Sequence, residues 1–143
     1  MTQKEIQPYI LPGLLVIGVI YIINKFKGTA AQQAATTQSD IQTQQAAGIK
    51  QTYTNTTYDQ LADRIETAGK GGFGTDEAAI YSVFNLLKND IDFLKLSQAF
   101  GQRRIEFSTL YNNLAGYLQS ELNAAELNKV NAIMEKNKLK SRI

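Results

Sequence analysis

The sequence predicts an all-α protein with three parts: an N-terminal transmembrane helix, a stalk rich in alanine, glutamine and threonine, and a compact five-helix domain. Three observations predict this fold class. Residues 9–23 contain no charged side chain, residues 29–48 hold six glutamines and one charged residue, and apolar residues recur at helical spacing after residue 57. No segment alternates apolar and polar residues long enough to predict a strand. The three parts are residues 1–27, 28–56 and 57–143.

The apolar N-terminal segment is long enough to cross a bilayer. Pro8 to Lys25 would form a helix of about 27 Å, close to the roughly 30 Å of a hydrocarbon core. Aromatic residues near its ends and lysines after it are typical of membrane interfaces, and the lysines favour placing the helical domain on the positive-inside face. The residues assigned to the anchor are Tyr9, Leu14, Val16, Ile20, Tyr21, Lys25 and Lys27. A cleaved signal peptide and a buried core helix are the alternatives.

The stalk contains too little apolar surface to form a core of its own. Asp40 is the one charged residue between Thr29 and Gly48. Alanine and glutamine favour a helix, so one prediction is a helix continuing toward Gly48, followed by an irregular spacer that holds the domain away from the bilayer. The alternative prediction is a disordered linker.

Residues 57–143 contain five apolar stripes with helical periodicity, which predict five helices. The stripes are Tyr58, Leu61, Ile65 and Ala68; Ile80, Val83, Phe84 and Leu87; Ile91, Phe93, Leu94, Leu96 and Phe100; Phe107, Leu110, Leu114, Tyr117 and Leu118; and Leu127, Val130, Ile133 and Met134. Polar residues and glycine between the stripes predict where the helices begin and end. The predicted caps are Thr57, Thr75 and Asp90 at N-termini, Gly101 at a C-terminus, and a capping box from Asn123 to Glu126.

The segment from Gly69 to Glu77, with the sequence GKGGFGTDE, is the richest local motif. It fits the pattern G-x-G-x-x-G, but a helix rather than a strand is predicted before it, so it does not predict a dinucleotide site. Unhindered backbone carbonyls on a tight turn are the ligand type that calcium prefers. The alternative is purely structural: the glycines make the turn and Thr75 caps the next helix.

The motif GFGTDE at residues 72–77, followed by Ile80 and later by LQSEL at residues 118–122, resembles one annexin repeat. The resemblance covers Tyr58 to Met134 and extends to small helical proteins of bacteria and bacteriophages. It implies a five-helix fold and calcium-dependent phospholipid binding. The implied calcium ligands are the carbonyls of Gly71, Gly72 and Gly74 and the carboxylate of Glu121.

The C-terminal tail is a local basic patch on a domain whose charges balance overall, with 11 basic and 11 acidic residues from Tyr58 to Ile143. Its four cations are Lys136, Lys138, Lys140 and Arg142. Such a patch can contact lipid headgroups, nucleic acid or an acidic protein surface. The alternative is a solvated helix end that the helix dipole favours.

The composition excludes much of enzyme chemistry. The absence of histidine and cysteine removes Ser-His-Asp and Cys-His nucleophile systems, zinc sites built on those residues, and disulfides. The enzymatic alternative is a phage wall-degrading enzyme that uses Glu66 or Glu121 as a single acid. Because no aromatic-rich cleft signature accompanies either residue, we expect no enzyme and no cofactor other than a possible calcium ion.

The layout of anchor, stalk and docking domain predicts a structural protein that tethers a membrane to a protein assembly. Its concrete form is a virion protein that links an internal phage membrane to the capsid, located in that membrane or in a bacterial inner membrane. The expected partners are the bilayer through residues 9–26 and a protein assembly through the helical domain. Nucleic acid and a small-molecule substrate are not expected.

Overall fold

The computed structural model describes residues 30–143, so the predicted anchor residues from Tyr9 to Lys27 lie outside the described residues. Within the described part the fold class is all-α, as predicted. The helices are α1 (Ala30–Ala46), α2 (Asn55–Gly69), α3 (Glu77–Leu86), α4 (Asp90–Phe100), α5 (Leu114–Glu121) and α6 (Ala124–Lys136). None of these six helices is long and apolar enough to cross a membrane.

The core lies among α2 to α6 and consists mainly of the predicted apolar stripes. Its largest fully buried side chains include Tyr58, Phe84, Phe93 and Tyr117. Phe84 and Phe93 pack with ring centroids 6.4 Å apart. Truncation of a buried aromatic residue to alanine typically costs about 3–5 kcal/mol, so these residues hold the helices in their relative positions.

Helix ends agree with the predictions at two places. Gly101 ends α4 with a φ of 58°, a left-handed conformation that glycine adopts without steric cost. Asn123 and Glu126 form a reciprocal capping box at the start of α6. Both predictions are confirmed, because these signals depend only on residues close together in the sequence.

Three predicted N-caps are wrong. Each helix begins one to three residues away from the position assigned to it, so Thr57, Thr75 and Asp90 are not the caps. The capping side chains are those of Thr54, Asp76 and Asn89. Each of these side chains accepts a hydrogen bond from the backbone N–H three residues further on. The sequence did not identify the cap because several neighbouring residues offer a suitable side-chain oxygen.

The predicted fourth helix is wrong in its first half. Instead of continuing a helix, the chain forms a short antiparallel hairpin in which β1 (Arg103–Arg104) pairs with β2 (Tyr111–Asn112). Phe107 has a φ of 58°, which no right-handed helix contains. The helix α5 begins only at Leu114, after the side chain of Asn113 caps it. The apolar spacing of Phe107 and Leu110 matches a helical stripe, but both side chains face solvent.

Helix α1, in the predicted stalk, packs along α4 in the antiparallel direction. Gln38 Oε1 accepts a hydrogen bond from Gln98 Nε2 (2.7 Å), and further along α1 the side chain of Ile41 is buried with Leu94. Of the two predictions for this segment, the structure has the helical one. The helix does not project from the domain but lies against it.

Candidate functional site

Two loops share one end of the helical domain. The Tyr58 hydroxyl donates to Asp92 Oδ1 (2.6 Å) near the start of both α2 and α4. Arg103, just beyond α4, pairs with Glu66 near the end of α2. The two helices therefore run in the same direction and finish together. We call this end the loop end and define it by the glycine loop, residues 69–76, and the hairpin, residues 103–112.

The glycine loop is a tight turn closed by backbone hydrogen bonds. Gly74 N donates to Gly71 O (2.9 Å), and Asp76 N donates to Ala68 O (2.9 Å). Gly74 has a φ of 118°, and a Cβ on Gly71 would overlap the Gly74 carbonyl oxygen. The predicted turn is confirmed, and the Gly71 carbonyl already accepts a hydrogen bond within it.

Glu121 lies beside the end of the glycine loop. The Thr75 hydroxyl is 3.2 Å from Glu121 O and 3.4 Å from Glu121 Oε2. Burial raises the pKa of the Glu121 carboxyl; the Thr75 hydrogen bond lowers it, and the charge of Glu106 on the hairpin raises it. The fold thus brings this carboxyl, predicted as a calcium ligand, to the residue that follows Gly74. Among residues 30–143, no three acidic, histidine or cysteine side chains are grouped for metal binding.

The loop end carries the most exposed large apolar side chains of the described chain. Phe73 on the glycine loop is fully exposed, and Phe107 on the hairpin is 93% exposed. Their neighbours Leu110 and Tyr111 are 64% and 63% exposed. The sequence reasoning placed Phe107 and Leu110 in a core stripe and gave Phe73 no role. In the sequence these residues cannot be distinguished from core residues of the same type, and only the fold shows that they are exposed.

Phe107 also has an unfavourable backbone conformation. Its φ of 58° lies in the left-handed region. For a residue with a side chain this backbone conformation is sterically disfavoured by about 1–2 kcal/mol. The side chain is almost wholly exposed, so packing within the domain does not offset this cost. The contacts within the domain therefore do not explain a phenylalanine at this position.

The basic tail lies at the opposite end of the domain. Asp90, the first residue of α4, accepts hydrogen bonds at Oδ1 from Lys140 N (2.9 Å) and from the backbone and hydroxyl of Ser141 (2.9 and 2.8 Å). Leu139 and Ser141 are buried, and Arg142 turns its guanidinium onto nearby backbone carbonyls. The three exposed cations are Lys136, Lys138 and Lys140. We call this end, defined by residues 84–92 and 136–143, the basic end.

A buried carboxylate holds the basic end together. Asp92 is fully buried, and its two oxygens accept four hydrogen bonds of 2.6–2.8 Å. The donors are Thr52 N, Thr52 Oγ1, Tyr58 Oη and Lys88 N. Burial and the bond to Asp92 raise the pKa of the Tyr58 hydroxyl. Every oxygen lone pair of Asp92 is satisfied, so this carboxylate is structural.

Glu66, considered as a single acid in the enzymatic alternative, is held in ion pairs with Lys70 and Arg103. Burial raises its pKa, but the hydrogen bonds from these two cations outweigh burial and lower the pKa below its usual value. A general acid needs a raised pKa so that it still carries its proton near neutral pH. The geometry at Glu66 therefore favours a structural ion pair.

A pocket of about 270 Å³ lies between α1 and the helices α4 and α5. Polar side chains of α1, including Gln33 and Thr37, form one wall, and Phe93 and Leu114 form part of the other. The Ser97 hydroxyl lines it and is buried without a hydrogen-bond partner. The pocket follows from packing a helix rich in glutamine and alanine against an apolar surface, which leaves space that larger side chains would fill.

Comparisons of the chain with protein-family models, with curated proteins and with solved structures give no match. The resemblance to an annexin repeat therefore depends on residues 72–77 and 118–122.

Proposed function

We propose that the protein is a non-enzymatic tether, held in a bilayer by residues 9–26, whose helical domain binds a protein assembly. The observation that carries the proposal is the antiparallel packing of α1 on α4. Because α1 is fixed to the domain, the N-terminal segment joins the domain at the loop end, and the basic end points away from that junction.

The basic end is the surface offered to the assembly. The tail that follows α6 lies beside the start of α4, about 16 Å from the loop end along the 11 residues of α4. Three exposed lysines within five residues there fit an acidic protein surface, which they would bind in a salt-dependent way. A virion protein that links an internal phage membrane to its capsid is the concrete form of this tether.

Site-specific crosslinking in the native particle or membrane tests the proposal. The chain has no cysteine, so Lys138→Cys provides a unique site for a photoactivatable maleimide at the basic end. We expect crosslinks from this position to one protein subunit, reduced when Lys136 and Lys140 are changed to glutamate. Ser108→Cys on the hairpin is the matched control and should give no such product. Release of the full chain from membranes by alkaline carbonate, or crosslinks equal at both positions, contradicts the tether.

A calcium-dependent phospholipid-binding module is the second candidate. The contact between Thr75 and Glu121 supports it, because it brings a carboxylate to the glycine loop. Titration of the full chain in lipid nanodiscs with calcium tests it. Heat of binding that is lost in Glu121→Gln supports this candidate, and no heat at millimolar calcium excludes it.

A further inference from the structure

We propose that the loop end lies directly on the bilayer, with Phe73 and Phe107 inserted at the level of the lipid headgroups without a bridging cation. The inference rests on the proposed membrane anchor and adds to it a second contact with lipid. The hairpin residue Leu110 contributes to the same contact.

The direction of α1 is fixed by polar contacts at its N-terminal end. Gln33, in its first turn, accepts hydrogen bonds at Oε1 from Gln102 Nε2 (2.7 Å) and Asn113 Nδ2 (3.2 Å). Gln102 directly precedes the hairpin and Asn113 directly follows it. The N-terminal end of α1 is therefore fixed at the base of the hairpin, and the preceding chain reaches the domain at the loop end.

Only a short stretch of chain connects the predicted membrane segment to α1. Four residues, and therefore five Cα–Cα steps, lie between Lys25, at the end of the predicted membrane segment, and Ala30, at the start of α1. Even at full extension they cover only about 18 Å. A segment this short keeps the loop end beside the bilayer, whereas the spacer function predicted for the stalk needs α1 to stand free of the domain.

The glycine loop and the hairpin belong to one surface. Thr75 on the glycine loop contacts Glu121, and the charge of Glu106 on the hairpin also reaches that carboxyl. Phe73 lies two residues before Thr75, and Phe107 directly follows Glu106. Both aromatic side chains therefore belong to the same end of the molecule.

This surface combines exposed apolar side chains with little net charge. The two loops have three basic residues, Lys70, Arg103 and Arg104, and two acidic residues, Asp76 and Glu106. Lys70 and Arg103 are both paired with Glu66, which offsets the remaining positive charge. Without excess positive charge, the surface is not built to attract anionic lipids. Exposed aromatic and leucine side chains on loop tips gain free energy by entering the headgroup region. Insertion also gives the left-handed, solvent-exposed Phe107 a partner that the domain does not provide.

Tryptophan fluorescence of the full chain in vesicles tests the proposal. The chain contains no tryptophan, so Phe73→Trp and Phe107→Trp each introduce a single reporter at a fully exposed position. Glu135→Trp, exposed near the end of α6, is the matched control at the other end. In vesicles of neutral phosphatidylcholine with a calcium chelator, we expect a blue shift of the tryptophan emission at both loop positions. With lipids brominated near the headgroup, we expect both loop positions to lose about half of their emission. The Glu135→Trp emission should stay unchanged.

Three results overturn the inference. Equal quenching by aqueous acrylamide at all three positions shows that the loop end is in water. A blue shift without quenching by brominated lipid shows that the aromatic residues are covered by protein, either a second copy or residues 9–23 of the same chain. Quenching that requires calcium or anionic lipid contradicts apolar insertion. Flotation of the same samples separates the two proposals. A chain that does not float with vesicles contradicts the membrane anchor. A chain that floats while its tryptophans remain exposed to water contradicts only the second contact with lipid.

Discussion

The two ends of the helical domain differ in how many of their side chains form contacts within the domain. At the basic end, Asp90, Asp92 and Asn137 each form several hydrogen bonds that join segments distant in the sequence. At the loop end, glycines make the turn, and Phe73 and Phe107 have no place in the core. Ion pairs and hydrogen bonds also join distant segments at the loop end, but that end in addition exposes its large apolar side chains to solvent. Within the proposed tether, this contrast assigns the contact with lipid to the loop end.

Removal of the buried carboxylate at the basic end is expected to have the largest effect. Asp92→Ala leaves donors of Thr52, Tyr58 and Lys88 without an acceptor, so the free energy of unfolding should fall by about 3–4 kcal/mol. Urea unfolding followed by circular dichroism measures it. Asp59→Ala, at an exposed position on the same helix as Tyr58, should change it by less than about 0.5 kcal/mol. Equal effects of the two changes would mean that the Asp92 hydrogen bonds do not stabilise the basic end.

Helix α1 links the two ends, and Ile41→Ala should weaken its packing by about 2 kcal/mol. Ile41 and Leu94 form a small cluster of their own, separate from the main core. We therefore expect faster amide hydrogen exchange in α1 and an unchanged unfolding midpoint for α2 to α6. Gln42→Ala, exposed on the same helix, is the control. A lowered midpoint of the whole domain would show that α1 is part of the cooperative core.

At the loop end, Gly69 permits close packing of α2 on α5. A Cβ at Gly69 would overlap the hydroxyl of the fully buried Tyr117, which donates to Glu66 O (3.1 Å). Gly69→Ala should lower the free energy of unfolding by about 2 kcal/mol. Gly72→Ala meets no atom within 4 Å and should have little effect. Thermal unfolding of both variants tests whether packing requires a glycine at Gly69 but not at Gly72.

The packing of α1 should also depend on pH. Burial raises the pKa of the Asp40 carboxyl from 3.8 to about 6, and its Oδ2 is buried without a hydrogen-bond partner. Because the pKa is raised in the folded state, the protonated Asp40 carboxyl contributes its full stability below about pH 4. This stability is lost as the pH rises through 6. Because Asp40 is partly solvated, we expect a change of about 1 kcal/mol or less. Hydrogen exchange in α1 between pH 4 and 7, corrected for its intrinsic rate, should show it, and Asp40→Asn should abolish it.

The smallest expected change is a gain in stability at the loop end. Phe107→Gly removes the steric cost of the left-handed conformation and should raise the free energy of unfolding by about 0.5 kcal/mol. Phe73→Gly, where no such conformation is involved, should not raise it. A loss of stability in Phe107→Gly would show that the aromatic ring stabilises the domain itself, and the contrast between the ends would be smaller than inferred.

Sequence reasoning succeeded where neighbouring residues decide the structure. The helical period of Tyr58, Leu61 and Ile65 predicts one buried face, and all three side chains are buried. The Asn123 to Glu126 capping box likewise acts within one turn. The same reasoning misassigned Phe107 and Leu110, because apolar residues at helical spacing look alike whether the chain forms a helix or a short hairpin.

Part of the candidate site was predictable. The glycine loop was recognised from its composition, and Glu121 was connected with it through the resemblance to an annexin repeat. The exposure of Phe73 was not predictable, since a lone exposed aromatic residue leaves no periodic signal. Contacts such as that between Gln33 and Asn113 join residues 80 positions apart, and no local pattern records them.

The sequence by itself determined the all-α class, the turn at the glycine loop and the presence of a lipid-length apolar segment, because each follows from residues close together in the chain. The tertiary structure decided that α1 lies antiparallel on α4, that the hairpin and glycine loop share one end, and that the basic tail lies at the other. These features depend on which side chains meet across long separations, where packing and hydrogen-bond satisfaction of the whole domain select the arrangement.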